Sequence, residues 1–82
     1  MGTSPSLREL IEYLARGLVD HPEDVVVEEV DEQDALVLEL KVAEQDLGKV
    51  IGKQGRTAKA LRTVLSAASS KTRRRVLLEI LE

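Results

Sequence analysis

The stretch Gly48-Lys49-Val50-Ile51-Gly52-Lys53-Gln54-Gly55-Arg56 decides how this chain is interpreted. Gly52 and Gly55 bracket two polar residues, and glycine lets a backbone take positive φ angles and approach a ligand closely because it has no Cβ. Helical patterns lie on both sides of this bracket. A helix that begins at or just after Gly55 directs its free N–H groups and the positive end of its dipole toward an anion. The stretch therefore predicts a binding site for a phosphate group.

Positive charge is concentrated around this stretch. Residues 47–76 contain nine basic residues and no Asp or Glu. Residues 1–46 carry a net charge of −10 and residues 47–82 a net charge of +7, although the whole chain is only at −3. Such polarisation steers an anionic ligand to one surface of a protein. The alternative interpretation is that these basic residues form no more than a solvated surface.

The composition indicates one small domain with an aliphatic core. The chain has 82 residues, 43% of them hydrophobic, with one Tyr and no Phe, Trp or Cys, so there is room for a single core and no disulfide framework. No apolar run approaches the ~18 residues of a membrane span. We expect a cytoplasmic protein with a flexible N-terminus over residues 1–5 and a single domain over residues 6–82.

The hydrophobic pattern predicts the element order α-β-β-α-α-β. Ser6 and Glu9 have the spacing of a capping box at the start of the first helix. Alternating and β-branched residues predict a hairpin of two strands, although Val25-Val26-Val27 leaves the inward face of the first strand undecided. We expect an α+β fold with a three-stranded sheet and the helices packed on one face. The predicted elements are, in chain order, residues 6–19 (helix), 25–30 (strand), 35–42 (strand), 43–50 (helix), 56–70 (helix) and 76–82 (strand).

Enzymatic phosphate sites do not fit the same residues. Residues 48–54 have three residues between the glycines where a P-loop has four, and Gln54 stands where Ser or Thr would hold Mg²⁺. The G-x-G-x-x-G motif of dinucleotide folds is absent. His21 is the only histidine, and no nucleophile lies beside a base. The sequence therefore predicts no catalytic residue, no metal site and no cofactor.

The sequence Val50-Ile51-Gly52-Lys53-Gln54-Gly55-Arg56 resembles the V-I-G-x-x-G signature of KH domains, which lies between two helices. The predicted element order matches the type II arrangement of that fold. Residues 48–56, the opening helix with Glu12-Tyr13-Leu14 and the chain length resemble the small single-domain bacterial KH proteins of the KhpA type. One position departs from the pattern: KH sequences favour a large aliphatic residue three places after the second glycine. Here that residue is Ala58, which predicts a shallower groove.

The resemblance implies a non-catalytic module that binds about four nucleotides of single-stranded RNA, with the bases in an aliphatic groove. It implies close backbone approach at Gly52 and Gly55, phosphate contacts from Lys53 and Arg56, and a backbone or ribose hydrogen bond from Gln54. Lys49, Lys59 and Arg62 form the predicted rim of the site, and Ile51 is a residue of the groove or of the core. The implied RNA-binding residues are Lys49, Ile51, Gly52, Lys53, Gln54, Gly55, Arg56, Lys59 and Arg62.

Partners and some alternatives stay open at this point. The resemblance implies an RNA chaperone or adaptor that acts as a homodimer or as a heterodimer with another RNA-binding protein. A different class of function is a protein-interaction module that presents Val37, Leu77 or Leu81 to a partner. Single-stranded DNA is an alternative ligand because the loop contacts phosphate. Residues 73–75, all Arg, either extend the phosphate track or mark the start of a strand.

Overall fold

The computed structural model describes residues 6–70, 72 and 74–82. The N-terminal segment predicted to be flexible, residues 1–5, lies outside the described residues, as do Lys71 and Arg73. The order α-β-β-α-α-β confirms the prediction, and single 3-10 turns precede β1, α2 and α3. The elements are α1 (Leu7–Leu18), β1 (Val26–Asp31), β2 (Ala35–Lys41), α2 (Leu47–Ile51), α3 (Arg56–Ala68) and β3 (Arg75–Ile80).

The first helix begins with the predicted capping box. The backbone N–H of Glu9 donates to the Ser6 hydroxyl oxygen at 3.1 Å, and the backbone N–H of Ser6 donates to the Glu9 carboxylate at 2.9 Å. These two hydrogen bonds from Ser6 lower the pKa of Glu9. Ile11 and Ala15 are fully buried on the helix face that meets the sheet. The cap thus fixes where the helix starts and which face it buries.

The sheet has the order β1-β2-β3, with β2 antiparallel to β1 and parallel to β3. Helix α1 packs on β1 and β2, and α3 packs on β3. The register aligns Val27 with Leu40 and Leu38 with Leu78 on the helix-covered face, where all four side chains are buried. This settles the inward face of β1, because Val27 is buried whereas Val26 is 46% exposed.

The other face of the sheet, here called the outer sheet face, carries no helix among the described residues. Val37 lies on it between Val30 and Leu77 of the flanking strands. Because those neighbours cover it, Val37 is only 8% exposed, whereas Leu77 is 41% exposed and Leu81 is half-buried. The interaction hypothesis placed Val37, Leu77 or Leu81 on a partner-facing surface. The neighbouring strands of the sheet already cover Val37.

Most element boundaries differ from the prediction by one or two residues, and the start of the second helix differs by four. Strand β1 begins at Val26 rather than at Val25, which is buried just before it. The helix predicted over residues 43–50 is a 3-10 turn, Glu44–Asp46, followed by α2. Asp46 has φ −99° and ψ −2°, values near the bridge region, where the final residue of a tight turn is commonly found. The α-helical geometry therefore starts only at Leu47.

Candidate nucleic-acid interface

The chain reverses direction between α2 and α3 within four residues, Gly52 to Gly55. Three of them have positive φ: Gly52 at 79°, Gln54 at 59° and Gly55 at 72°. The Gly52 N–H donates to the Gly48 carbonyl at 2.8 Å, and the Gly55 N–H donates to the Gly52 carbonyl at 3.1 Å. The loop is therefore a hydrogen-bonded turn of defined shape.

The two glycines meet different requirements. A Cβ on Gly52 would lie 2.2 Å from the Thr57 hydroxyl oxygen and 2.7 Å from the Thr57 backbone nitrogen. A Cβ on Gly55 would meet no atom within 4 Å. Gly52 is thus required both by its positive φ and by contact with the first turn of α3, whereas Gly55 is required only by its φ. Sequence reasoning had predicted both glycines without this distinction.

Helix α3 presents its positive end at this loop. Its N-cap is Gly55, and within the described residues no side chain caps it and no acidic residue lies in its first turn. Lys53, Gln54 and Arg56 are exposed there, and the Arg56 guanidinium donates to the Gln54 side-chain oxygen at 3.1 Å. Two cations and the helix dipole therefore act on the same small volume of solvent.

A row of cations continues from the loop along α3. Arg56, Lys59 and Arg62 are exposed and three residues apart, so they follow one side of the helix. The Arg62 Nε donates to the Leu78 carbonyl of β3 at 3.4 Å, which directs the row to the edge of the sheet. Within the described residues, no carboxylate lies within 4.0 Å of these three side chains or of Lys53. We call these four residues the basic row.

A groove of about 270 Å³ lies where the basic row reaches β3. Most of its walls are aliphatic, with two polar side chains from α3 at one side. Ala58 is the small residue from which the sequence predicted a shallower groove, and only 5% of its surface is exposed. Ile51, left between groove and core by the sequence, is half-buried at the end of α2. The groove is lined by Arg62, Leu65, Ser66, Val76, Leu77 and Leu78.

Lys49 differs from the basic row. Its Nζ lies 3.2 Å from an Asp20 carboxylate oxygen and 3.5 Å from an Asp46 carboxylate oxygen. The hydrogen bond and charge of Asp20, followed by those of Asp46, raise the pKa of Lys49. The structure therefore places this predicted rim residue in an ion-pair cluster.

Asp46 was not recognised as a functional residue from the sequence. It is fully buried, the one charged residue so classed in the part of the chain that the structure describes. Burial alone raises the pKa of its carboxyl, but backbone hydrogen bonds from His21 and Asp20 and the nearby charges outweigh it, and the pKa is lowered. The spacing of Asp46 and Lys49, three residues apart at the start of a short helix, was the available signal.

The arginines at the start of β3 have distinct environments. Arg74 donates to the Asp31 carboxylate and to the carbonyls of Glu32 and Ala35, so it ties the β1–β2 turn to β3. Arg75 is exposed and pairs with Ala35 in the register. Arg73 lies outside the described residues. In the free protein Arg74 thus joins the β1–β2 turn to the start of β3.

His21 lies in the connection between α1 and β1, as predicted. Its Nδ1 is 3.6 Å from the Glu23 carboxylate, and ligand atoms of His21, Glu23 and Asp24 lie within 4.8 Å of one another. Glu23 and Asp24 are exposed, and carboxylates at a solvated surface commonly lie this close without an ion. We assign no metal to this group.

Known proteins were compared with the chain. The family model described as the KH domain of KhpA/KhpB matches residues 8–80. The chain belongs to this KH-domain family. The KhpA/KhpB family is not a family of enzymes, which confirms the prediction of a non-catalytic protein. Within the described residues, no helix combines the length and the apolar character that crossing a membrane requires.

Relatives in the KhpA/KhpB family match over nearly the whole chain. The RNA-binding protein KhpA of Clostridium perfringens is 55% identical over 75 residues, covering 92% of this chain and 100% of that protein. The RNA-binding protein KhpA of Aquifex aeolicus is 49% identical over 77 residues, covering 94% and 98%. A crystal structure of Aquifex aeolicus Era bound to GDP.AlF4- matches with a TM-score of 0.61 at 24% identity, over 98% of this chain and 32% of Era. The likeness to Era concerns the fold alone.

Proposed function

We propose that this chain binds single-stranded RNA without catalysis, through the G-x-x-G loop and the basic row. The observation that carries the proposal is the exposed charge of Lys53 and Arg56 at the positive end of α3, where no described side chain pairs with these cations or caps the helix. A phosphate is the anion that such a helix end and two cations would hold. The relatives named RNA-binding protein KhpA support the same ligand.

The bound strand would run from the loop toward β3. Phosphates would follow Lys53, Arg56, Lys59 and Arg62, while bases would lie in the aliphatic groove between α3 and β3. The chain has no Phe or Trp, so base binding would depend on aliphatic contact rather than on the aromatic stacking of RRM or OB-fold platforms. Phosphate groups are common to RNA and DNA, so the same site would also accept single-stranded DNA.

The test is a double charge reversal in the loop. Lys53→Asp with Gln54→Asp places two carboxylates at the proposed phosphate site, and we expect loss of oligoribonucleotide binding with the fold retained. Lys41→Asp with Gln45→Asp makes the same change of residue types at two exposed positions elsewhere and should bind RNA as the parent does. Titration at low salt followed by amide chemical shifts gives the readout. Normal binding by the loop variant, or unmoved shifts at residues 52–55, would reject the proposal.

We further propose that the protein acts in the cytoplasm as an RNA chaperone or adaptor and that it associates with a second copy or another RNA-binding protein. An apolar groove of about 230 Å³ between α1 and α3 supports protein contact, because Leu18 and Val64 on its walls are 40% and 43% exposed. If association were the main role of the protein, its RNA affinity would be incidental. Val64→Glu would then abolish the dimer, which light scattering measures. Retention of RNA binding in a monomeric Val64→Glu variant would favour the RNA-binding function.

A further inference from the structure

The carboxylate of Asp46 is buried at the start of the helix that leads to the loop. Its Oδ2 accepts a hydrogen bond from the backbone N–H of His21 at 2.9 Å, across a separation of 25 residues. Its Oδ1 has no hydrogen-bond partner among the described residues and lies 3.5 Å from the Lys49 Nζ. A buried carboxylate is costly unless charges and hydrogen bonds compensate it, so both contacts help to hold it ionised.

Lys49 completes this arrangement. Its ammonium joins the buried Asp46 to the exposed Asp20, which lies near the start of the α1–β1 connection. Asp46, Lys49 and the backbone at residues 20–21 therefore connect α2 to the segment that follows α1. We call this group the Asp46–Lys49 clamp.

The clamp lies very close to the loop along the chain. Helix α2 has only five residues, Leu47–Ile51, and Gly52 follows at once. The Gly52 N–H donates to the Gly48 carbonyl, and Val50 between them is fully buried. A change in the position of Asp46 therefore reaches Gly52 through less than two turns of helix.

We propose that Asp46 and Lys49 are positioning residues that hold the G-x-x-G loop in its binding geometry, and that Lys49 is not a phosphate ligand. The inference rests on the proposed RNA-binding function of the loop. It revises the role that the family resemblance implied for Lys49. Two carboxylates lie within 4.0 Å of the Lys49 ammonium, whereas no carboxylate of the described residues lies that close to the Lys53 or Arg56 side chain.

The salt dependence of RNA binding separates a phosphate ligand from a positioning residue. For a single strand, each lost phosphate contact reduces the slope of log K against log salt by ~0.7. We expect Lys53→Met to reduce the slope by that amount. Lys49→Met should weaken binding by about fivefold or more. Its salt slope should equal that of Lys41→Met, a control that removes one exposed charge from the outer sheet face. A reduced slope for Lys49→Met, or undiminished affinity, would overturn the inference.

The amide spectrum of the free protein gives a readout that does not depend on RNA. Asp46→Asn removes the charge with little change of shape, and it should move the amide resonances of residues 52–55 while the sheet resonances stay in place. Unmoved loop resonances in Asp46→Asn would overturn the inference. If Asp46→Asn does not fold, Lys49→Met carries the same spectral test, because its side chain is 43% exposed and its removal leaves no cavity.

Two results distinguish the inference from the proposed function. If Lys53→Met changes neither affinity nor slope, the proposed function fails, and the clamp is judged by the free-protein spectra alone. If Lys53→Met and Lys49→Met reduce the slope equally, RNA binding stands and the positioning role of Lys49 is rejected.

A double variant tests whether Asp46 and Lys49 act together. Asp46→Asn with Lys49→Met should lose less RNA-binding free energy than the sum of the two single losses, since both residues act through one arrangement. Additive losses would contradict the inference.

Discussion

The basic row and the glutamate row, which consists of Glu28, Glu39 and Glu79 on the outer sheet face, each align charges of one sign, yet they do so with different geometry. The cations of the basic row are three residues apart on a convex helix and next to a loop with positive φ angles. On the outer sheet face the register sets Glu39 directly between Glu28 and Glu79. Directly opposed side chains in a sheet have Cβ atoms about 4.5–5.5 Å apart, and like charges there are destabilising. A bound anion relieves repulsion on the first surface, whereas the second repels the same anion and favours one orientation of approach.

The largest effect should come from breaking the loop beside the basic row. Gly52→Ala puts a Cβ into Thr57 at a positive φ, and we expect it to lower the free energy of unfolding by about 3 kcal/mol and to abolish RNA binding. Gly55→Ala is the comparison variant, because Gly55 has a positive φ in the left-handed α region and no clash, so it should cost about 1–2 kcal/mol. Urea denaturation measures both. Equal losses in the two variants would show that steric contact with Thr57 is unimportant.

A smaller effect, on binding alone, should follow from neutralising the basic row. Lys59→Gln with Arg62→Gln removes two proposed phosphate contacts, so the salt slope of RNA binding should fall by ~1.4. Stability should fall by no more than about 1 kcal/mol, since both side chains are exposed and Arg62 loses one hydrogen bond to the Leu78 carbonyl. Lys41→Gln with Arg75→Gln removes the same charge from the outer sheet face and should leave the slope unchanged. A slope that falls equally in both pairs would mean that RNA senses only the total charge.

Relief of the glutamate row should give a modest gain in stability. Glu39→Gln removes the middle charge of three, and we expect the free energy of unfolding to rise by about 0.2–1 kcal/mol with RNA affinity unchanged. Because the gain is electrostatic, it should shrink as salt is added. Denaturation at low and high salt, alongside RNA titration, tests this. A loss of stability would indicate that Glu39 makes a favourable contact across the sheet.

The smallest effect should come from changing the pH near neutrality. The pKa of Asp46 is lowered from its ordinary 3.8, so its ionisation stabilises the fold above pH 3.8 and that contribution is lost as the pH falls toward the folded-state pKa. The pKa of Lys49 is raised from 10.5, so its contribution is complete below pH 10.5 and is lost as the pH rises through the higher folded-state pKa.

The clamp should therefore contribute equally at all values between about pH 5 and 9. We expect the stability difference between the parent and Asp46→Asn to be constant over that range and to shrink below pH 3.8. Thermal denaturation across the pH series measures it. A difference that varies near neutrality would contradict the assignment of this stability to the ionised Asp46 and Lys49.

Local signals explain why so much of this fold was predictable. The capping box at Ser6, the alternation through β2 and the glycine bracket each lie within a few neighbouring residues, and each predicted feature is present. The inward face of β1 was not predictable, because Val25-Val26-Val27 offers both faces an apolar residue and only packing under α1 selects Val27. Asp46 escaped recognition for a similar reason: its partner His21 is 25 residues away, a contact that periodicity does not encode.

The parallel pairing of β2 with β3 has a consequence for how the domain assembles. Parallel neighbours cannot be joined by a tight turn, and here the crossover between them consists of α2, the loop and α3. The third strand therefore depends on the crossover for its place beside β2. Any molecule that grips the crossover stabilises the completed sheet by mass action. Hydrogen exchange at β3 would slow on ligand addition even though that strand's amides lie away from the loop.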